Sequence, residues 1–247
     1  NAYGDTKGMP FVGGAQYSYS WDKCLFMPAE FTGGAEYNYD DLKDKMLGYN
    51  RTIEQTVHIG SLFLQNEWKN QYWGFLIGGR FDKHNLINHV IFSPRANLRY
   101  NPSENINFRL SYSSGFRAPQ AFDEDLHILI VGGERTRIRL ADDLHEERSH
   151  SFTLSSDMYK TWGRVQANLL VEGFCTILND VFALRDYAGS ELGSTIKPVD
   201  GKEGVYDVND GARIYERYNG SGATVMGLNV EGKIAYAPWV EASAGVT

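Results

Sequence analysis

Apolar and polar side chains alternate along most of this chain with a period of two. Ile106, Phe108, Leu110 and Tyr112 share one parity, and Asn107, Arg109, Ser111 and Ser113 share the other. Ala96, Leu98 and Tyr100 oppose Arg95, Asn97 and Arg99. Val165, Ala167, Leu169 and Val171 oppose Arg164, Gln166, Asn168 and Glu172. Leu228, Val230, Ile234 and Tyr236 oppose Asn229, Glu231 and Lys233. Trp73, Phe75, Ile77 and Phe81 form one face of a segment whose other face ends in Arg80 and Asp82. Successive side chains of a strand point to opposite faces, so each segment predicts a β-strand with one apolar and one polar face. Ten such segments lie near 11–21, 30–40, 53–68, 72–83, 90–100, 105–115, 148–160, 164–179, 213–237 and 239–247. Many are longer than the usual strand of about five or six residues. No segment of helical period stands out, and no internal repeat is present.

The connections sort into two kinds that alternate along the chain. Short ones fall at 69–70, 101–105, 160–164 and 238–239. Two long ones span 116–147 and 181–212, with 41–52 of middle length and 84–89 shorter. Alternate connections of an up-and-down meander lie at the same end, so the long loops gather at one end and the tight turns at the other. An antiparallel sandwich also alternates, with its apolar face turned inward. Strand length, loop asymmetry and aromatic residues near strand ends (Trp73, Phe81, Tyr100, Tyr112, Tyr236) favour a different arrangement. A transmembrane barrel turns its apolar face out to lipid and its polar face into a lumen. It is ringed by aromatics and has short turns on one side and long loops on the other. Backbone groups in lipid must be paired, so such a sheet has to close. The expected fold is therefore all-β, a transmembrane antiparallel up-and-down β-barrel.

Composition narrows the reading. Aromatic residues reach 13%, including 15 Tyr, which suits interfacial girdles. The formal net charge of −7 argues against a nucleic-acid surface. The longest apolar run, Ile128 to Val131, is far short of the roughly 18 residues that a membrane helix needs. Cys24 falls near a tight turn and Cys175 near the far end of its strand. A barrel wall then holds them beyond disulfide reach, which predicts two unpaired thiols.

An ordered series of motifs carries a resemblance. "LFLQNEW" (62–68) leads through a short turn to "LIGGRFDKH" (76–84). "SPRANLRYNP" (93–102), "FRLSYSSGFRAPQAFDEDLH" (108–127) and "LHEERSHSFTLSSDMY" (144–159) follow, and "FTGGAEYNYDDL" (31–42) precedes. This series resembles the TonB-dependent outer-membrane receptors of Gram-negative bacteria, in a style similar to Bacteroides-type receptors. The resemblance implies a 22-strand barrel with a plug domain in its lumen, of which this chain supplies about ten strands. No plug, TonB-box segment or closing strand is recognisable in the sequence. Residues 1–247 therefore read as one part of the barrel domain, central to C-terminal. The implied function is energised uptake of a scarce nutrient, a metal chelate such as a ferric siderophore, haem or cobalamin. The implied partners are that substrate, outer-membrane lipid, and the TonB complex acting through the plug region. No nucleophile–base motif or close carboxylate pair emerges, so neither enzymatic chemistry nor a cofactor is expected. The rival readings are a passive porin-like barrel, a glycan-uptake receptor, and a secreted β-sandwich or propeller enzyme.

Two groups of residues are candidates for function. Arg80, Asp82, Arg95, Arg99, Arg109, Gln166 and Glu172 occupy the polar parity and are expected to face the lumen. There they either contact the plug or line a solvated wall. In the long loop after "GFRAP", Phe122, Asp123, Glu124, Asp125 and His127 are candidates for substrate contact. Pro119 biases Ala118 to an extended conformation, which suits a strand exit. "DVNDGAR" (207–213) has an acidic, glycine-containing spacing but lacks the distal glutamate of a calcium loop. His84 and His89 bracket one loop without a third metal ligand nearby, so no metal site is assigned. "NRT" (50–52) and "NGS" (219–221) are glycan acceptors only in a eukaryotic secretory pathway, which the resemblance opposes.

Overall fold

The protein is described by a computed structural model covering residues 4–46, 51–119, 136–187, 194–196, 205–207, 213–236 and 238–247. Ten strands form one antiparallel sheet. They are β1 (Gly4–Cys24), β2 (Met27–Met46), β3 (Arg51–Lys69), β4 (Trp73–His84), β5 (Ile91–Ser103), β6 (Ile106–Arg117), β8 (Glu147–Trp162), β9 (Val165–Asn179), β14 (Ala223–Tyr236) and β15 (Val240–Val246). Each pairs with its neighbours in that order, and β1 and β15 are the two edges of the described sheet, which does not close on itself. The tight turns share one end. At the first of them, Leu25 takes a φ of 63°, and at the β8–β9 hairpin Gly163 takes 59°, the positive φ that two-residue hairpins require.

The sheet has almost no core of its own. Ile77, Leu154, Leu62 and Leu228 are 63%, 60%, 58% and 56% exposed, all on one face. Register places that face consistently: Leu62 opposes Phe81, Phe81 opposes Phe92, Tyr112 opposes Phe152 and Phe152 opposes Cys175. An apolar face of this size is unstable in water and is the lipid-facing surface expected of a membrane barrel. Aromatic rings gather at its turn end, where Trp73 stacks on Tyr100 with ring centres 4.3 Å apart and Phe26 stacks on Trp68. A second row lies nearer the long-loop end, with Phe81 on Phe92 and Tyr112 beside His150. Cys24 and Cys175 are both free, as expected from their separation in the wall.

Three features depart from the sequence expectations. β1 and β2 run well beyond the alternating segments, so the middle-length connection 41–52 shrinks to 47–50. The long-loop end of β2 is polar on both faces (Lys43, Asp44, Lys45), because a strand outside lipid needs no apolar face. The segment 213–237 is two strands, β13 (Arg213–Asn219) and β14, separated by Gly220–Gly222. Finally, the long loops carry structure of their own. β7 (Thr136–Leu140) from the first loop joins β10 (Phe182–Asp186), β11 (Ser194–Ile196), β12 (Val205–Asp207) and β13 from the second in a separate five-stranded sheet.

Candidate functional site at the lumen wall and mouth

The polar face of the wall is organised by one network near the long-loop end. Arg80 on β4 donates from Nε to Asp82 (2.8 Å) and from Nη2 to Glu36 on β2 (2.9 Å) and Ser61 Oγ on β3 (2.8 Å). Ser61 donates to Asp82 (2.6 Å), and Asn38 donates to Glu36 (2.8 Å). Register explains the grouping, since Glu36 opposes Ser61 and Ser61 opposes Asp82. Asp82 is 2% exposed, so its charge is tolerated only because a guanidinium and a hydroxyl meet it. Beside the network lies a cleft of about 480 Å³ that includes Phe63, Gln65 and Arg95 in its lining.

The other candidates of the polar parity lie along the same face. Arg99 opposes Arg109 directly across β5 and β6, and Arg95 opposes Ser113. Gln166 and Glu172 lie on β9, where Glu172 accepts a hydrogen bond from Asn229 (3.1 Å). The structure therefore joins Arg80 and Asp82 in one network. Arg95 lines the cleft beside that network, Arg99 and Arg109 face each other nearer the turn end, and Glu172 stands apart on β9. Sequence reasoning missed Glu36 and Ser61. Their parity was legible, but their convergence on Arg80 depends on a register that links positions 44 residues apart.

The mouth is built by the second sheet. β13 is its central strand, pairing with β7 in parallel (Arg213↔Thr136 to Arg217↔Leu140) and with β10 in antiparallel fashion (Phe182↔Asn219 to Asp186↔Tyr215). Arg213 meets Asp186 (2.9 Å) and Arg185 meets Glu216 (2.6 Å). Arg139 stacks over Tyr187 and bonds its hydroxyl, while Tyr187 packs on Ile214 in a small buried core. Asn219 ties the loop roots together. Its amide donates to the carbonyls of His145 (3.0 Å) and Asp180 (2.8 Å) and accepts from the His145 N–H (2.9 Å). Phe122, Asp123, Glu124, Asp125 and His127 lie outside the described residues, as do 208–212 of the acidic stretch.

Titratable groups cluster at this rim. His89, on the β4–β5 connection, contacts Glu146 (2.9 Å), which also accepts from Arg148 (3.0 Å). Burial pushes the Glu146 carboxyl up. Hydrogen bonds from its own backbone, His89 and Arg148 outweigh this and hold it below the ordinary carboxylate value. A contact with the Asp143 carbonyl raises the His145 imidazole above its ordinary value, with Asp180 (3.6 Å) adding to the effect. His84 and His89 do not converge on a metal: among the described residues no three His, Cys, Asp or Glu side chains group to hold one.

Comparison with known proteins places this geometry. The family model described as TonB dependent receptor-like, beta-barrel, matches residues 2–247. No curated protein sequence matches significantly. Among solved structures, the siderophore receptor PirA from Pseudomonas aeruginosa is 15% identical with a TM-score of 0.67, covering 98% of this chain and 43% of its own. The ferric enterobactin receptor PfeA from the same organism, in complex with enterobactin, is 19% identical with a TM-score of 0.68, covering 96% and 35%. The Serratia marcescens hemophore receptor HasR, in complex with its hemophore HasA and heme, is 13% identical with a TM-score of 0.69, covering 94% and 40%. The chain thus spans well under half the length of these proteins, and at such identities the likeness is one of fold.

Proposed function

Because the chain belongs to the TonB-dependent receptor β-barrel family, whose barrels lie in the Gram-negative outer membrane, we propose that it forms part of a receptor for energised nutrient uptake. The observation that carries this reading is the architecture of the mouth. Two long loops join in one sheet above a wall whose polar face is lined with charged and hydroxyl side chains. Substrate binds at that outer face. A plug domain in the lumen relays occupancy to TonB in the periplasm. The ten strands supply part of a 22-strand barrel, and Arg80, Asp82, Arg95, Arg99, Arg109 and Glu172 face the plug.

The substrate class proposed is a metal chelate: a ferric siderophore, haem or cobalamin. The solved relatives support this choice, since PirA is a siderophore receptor, PfeA holds enterobactin and HasR holds heme. Of the first loop's acidic run, Asp123, Glu124 and Asp125, with Phe122 and His127 beside them, are proposed to contact the substrate. No bond of the substrate is made or broken by the protein. The test is growth of a strain lacking the complete gene on defined iron and cobalamin sources. Loss of growth on one chelate, restored by the gene and dependent on TonB, is expected. Unchanged growth on every chelate, with loss on an oligosaccharide, would transfer the assignment to glycan uptake, and TonB-independent leakage of small solutes would indicate a passive pore.

A further inference from the structure

A cleft of about 760 Å³ lies at the turn end of the polar face, at the opposite end of the wall from the mouth. Its size falls within the roughly 300–1,000 Å³ of small-molecule sites. The β3–β4 turn (70–72), the β5–β6 turn (104–105) and the end of β8 border it. The side chains it presents are held in place by hydrogen bonds. The Asn70 side-chain oxygen accepts from the Tyr72 and Trp73 N–H groups (2.8 and 2.7 Å), which fixes the turn that carries Gln71 and Tyr72. Asn107 donates to the Asn101 side-chain oxygen (2.7 Å). Tyr159 donates its hydroxyl to Asp157 (2.7 Å), whose other oxygen accepts from Asn168 (2.5 Å). Tyr72 and Tyr159 are each half exposed, and Tyr159 lies on the polar parity of β8, away from lipid.

We infer that this cleft binds a short uncharged oligosaccharide. The bond between Asn101 and Asn107 uses one donor and one acceptor, and leaves the Asn101 amide N–H groups beside the Asn107 carbonyl. A donor and an acceptor side by side complement two neighbouring hydroxyls, each of which both gives and takes a hydrogen bond. Two fixed, half-exposed tyrosine rings offer their electron-rich faces to the C–H side of a sugar ring. Charge does not select an ion. Arg109 and Glu104 line the cleft with opposite signs, and both Asp157 oxygens are met by donors of the wall. A polypeptide fits less well, because peptide grooves supply main-chain pairing or apolar pockets. Here the bordering backbone is already paired, the Asn101 N–H with the Tyr72 carbonyl (2.7 Å) and the Tyr159 N–H with the Asn105 carbonyl (2.7 Å). Among the described residues the aliphatic side chains of the lining are just Pro102 and Ile106. The tight turns of an outer-membrane barrel face the periplasm, so the cleft opens to that compartment. A glycan of the periplasm and a sugar in transit present it with the same chemistry.

The test titrates the complete receptor, in a detergent without a sugar head group, with the trimer of N-acetylglucosamine and with maltotriose, followed by ligand-observed NMR. Saturable binding of at least one trisaccharide is expected, with Kd of about a millimolar or tighter. Tyr72→Ala and Tyr159→Ala are each expected to weaken it about tenfold. Tyr159→Phe keeps the ring and is expected to stay within about threefold of wild type. Asn101→Asp keeps the bond from Asn107 but removes the free donors, and is expected to weaken binding about tenfold. Arg164→Gln, in the exposed β8–β9 turn outside the cleft, is expected to change nothing. If Tyr159→Ala does not fold, Tyr72→Ala and Asn101→Asp decide. Two further arms separate the sources, and either result upholds the site. Cosedimentation of the receptor with purified cell-wall sacculi, lost in Tyr72→Ala, assigns it to a periplasmic glycan. Slower growth of the Tyr72→Ala strain on an oligosaccharide assigns it to cargo. No saturable binding of either trisaccharide overturns the site, as does binding that Tyr72→Ala and Asn101→Asp leave within about threefold of wild type. Tighter binding of an asparagine–glycine tetrapeptide also overturns it and gives the cleft to a polypeptide.

Discussion

Removing Arg80 should cost far more than its half-exposed position at the wall implies. The guanidinium makes three charge-assisted hydrogen bonds, but of its two carboxylate partners only Asp82 is deeply buried; Glu36 is about a third exposed and keeps part of its hydration. In Arg80→Ala, Asp82 keeps only the Ser61 hydroxyl as a partner. Stranding a buried carboxylate in this way costs about 3–5 kcal/mol. The arginine's own exposure of 37% moves the expectation to the lower end, about 3 kcal/mol. Arg80→Ala with Asp82→Ala removes the stranded charge as well, so it should cost less than the single arginine change. Arg80→Lys should recover little, because one ammonium cannot reproduce a fork that meets Asp82, Glu36 and Ser61 together. Urea unfolding of the receptor reconstituted in lipid, followed by tryptophan fluorescence, reads these differences. A single-mutant loss within about 0.5 kcal/mol of wild type, in the range of surface substitutions, refutes the claim that Asp82 depends on Arg80.

Further outcomes are open to measurement. Asn219→Ala deletes three hydrogen bonds at the loop roots, about 2 kcal/mol in local stability. Hydrogen exchange should quicken in Arg213–Asn219 and Thr136–Leu140 but not in β8 or β9. Because the folded value of His145 is raised above 6.5, its stabilisation is full below that pH and is lost as pH rises through the raised value. Exchange protection of the mouth sheet should therefore fall between mildly acidic and mildly alkaline pH, and His145→Gln should flatten the dependence. Gly34→Ala places a carbon 2.5 Å from the Phe63 ring and 2.6 Å from the Ala15 carbonyl, and should destabilise the wall by about 1–3 kcal/mol in the same urea assay.

Much of the wall was legible in sequence because lipid imposes a strict code. Ile106 to Tyr112 alternates cleanly where one face meets hydrocarbon and the other does not. The code lapses where lipid ends, so the outer part of β2, with Lys43, Asp44 and Lys45, reads as loop although it is strand. "RIYERYN" at 213–219 alternates as well as any wall strand, and its pattern predicts a single strand continuous with β14. Its sheet is decided by the break at Gly220–Gly222 and by a distant partner, neither of which has a local period. At the site, parity alone put Arg80, Asp82, Arg95, Arg99 and Arg109 on one face. It carried no information on which arginine finds a carboxylate, because that depends on the register between strands.

The parallel pairing of β7 with β13 also sets an order of assembly. Most wall pairings join neighbours in the chain and can zip hairpin by hairpin, with little loop entropy lost at each step. β7 and β13 are separated in sequence by the β8–β9 hairpin, and β13 also receives β10. The mouth sheet therefore cannot complete until β8 and β9 have brought the two loops to the same rim. Contacts of such long sequence separation form late. The mouth sheet is then the last part of the fold to form.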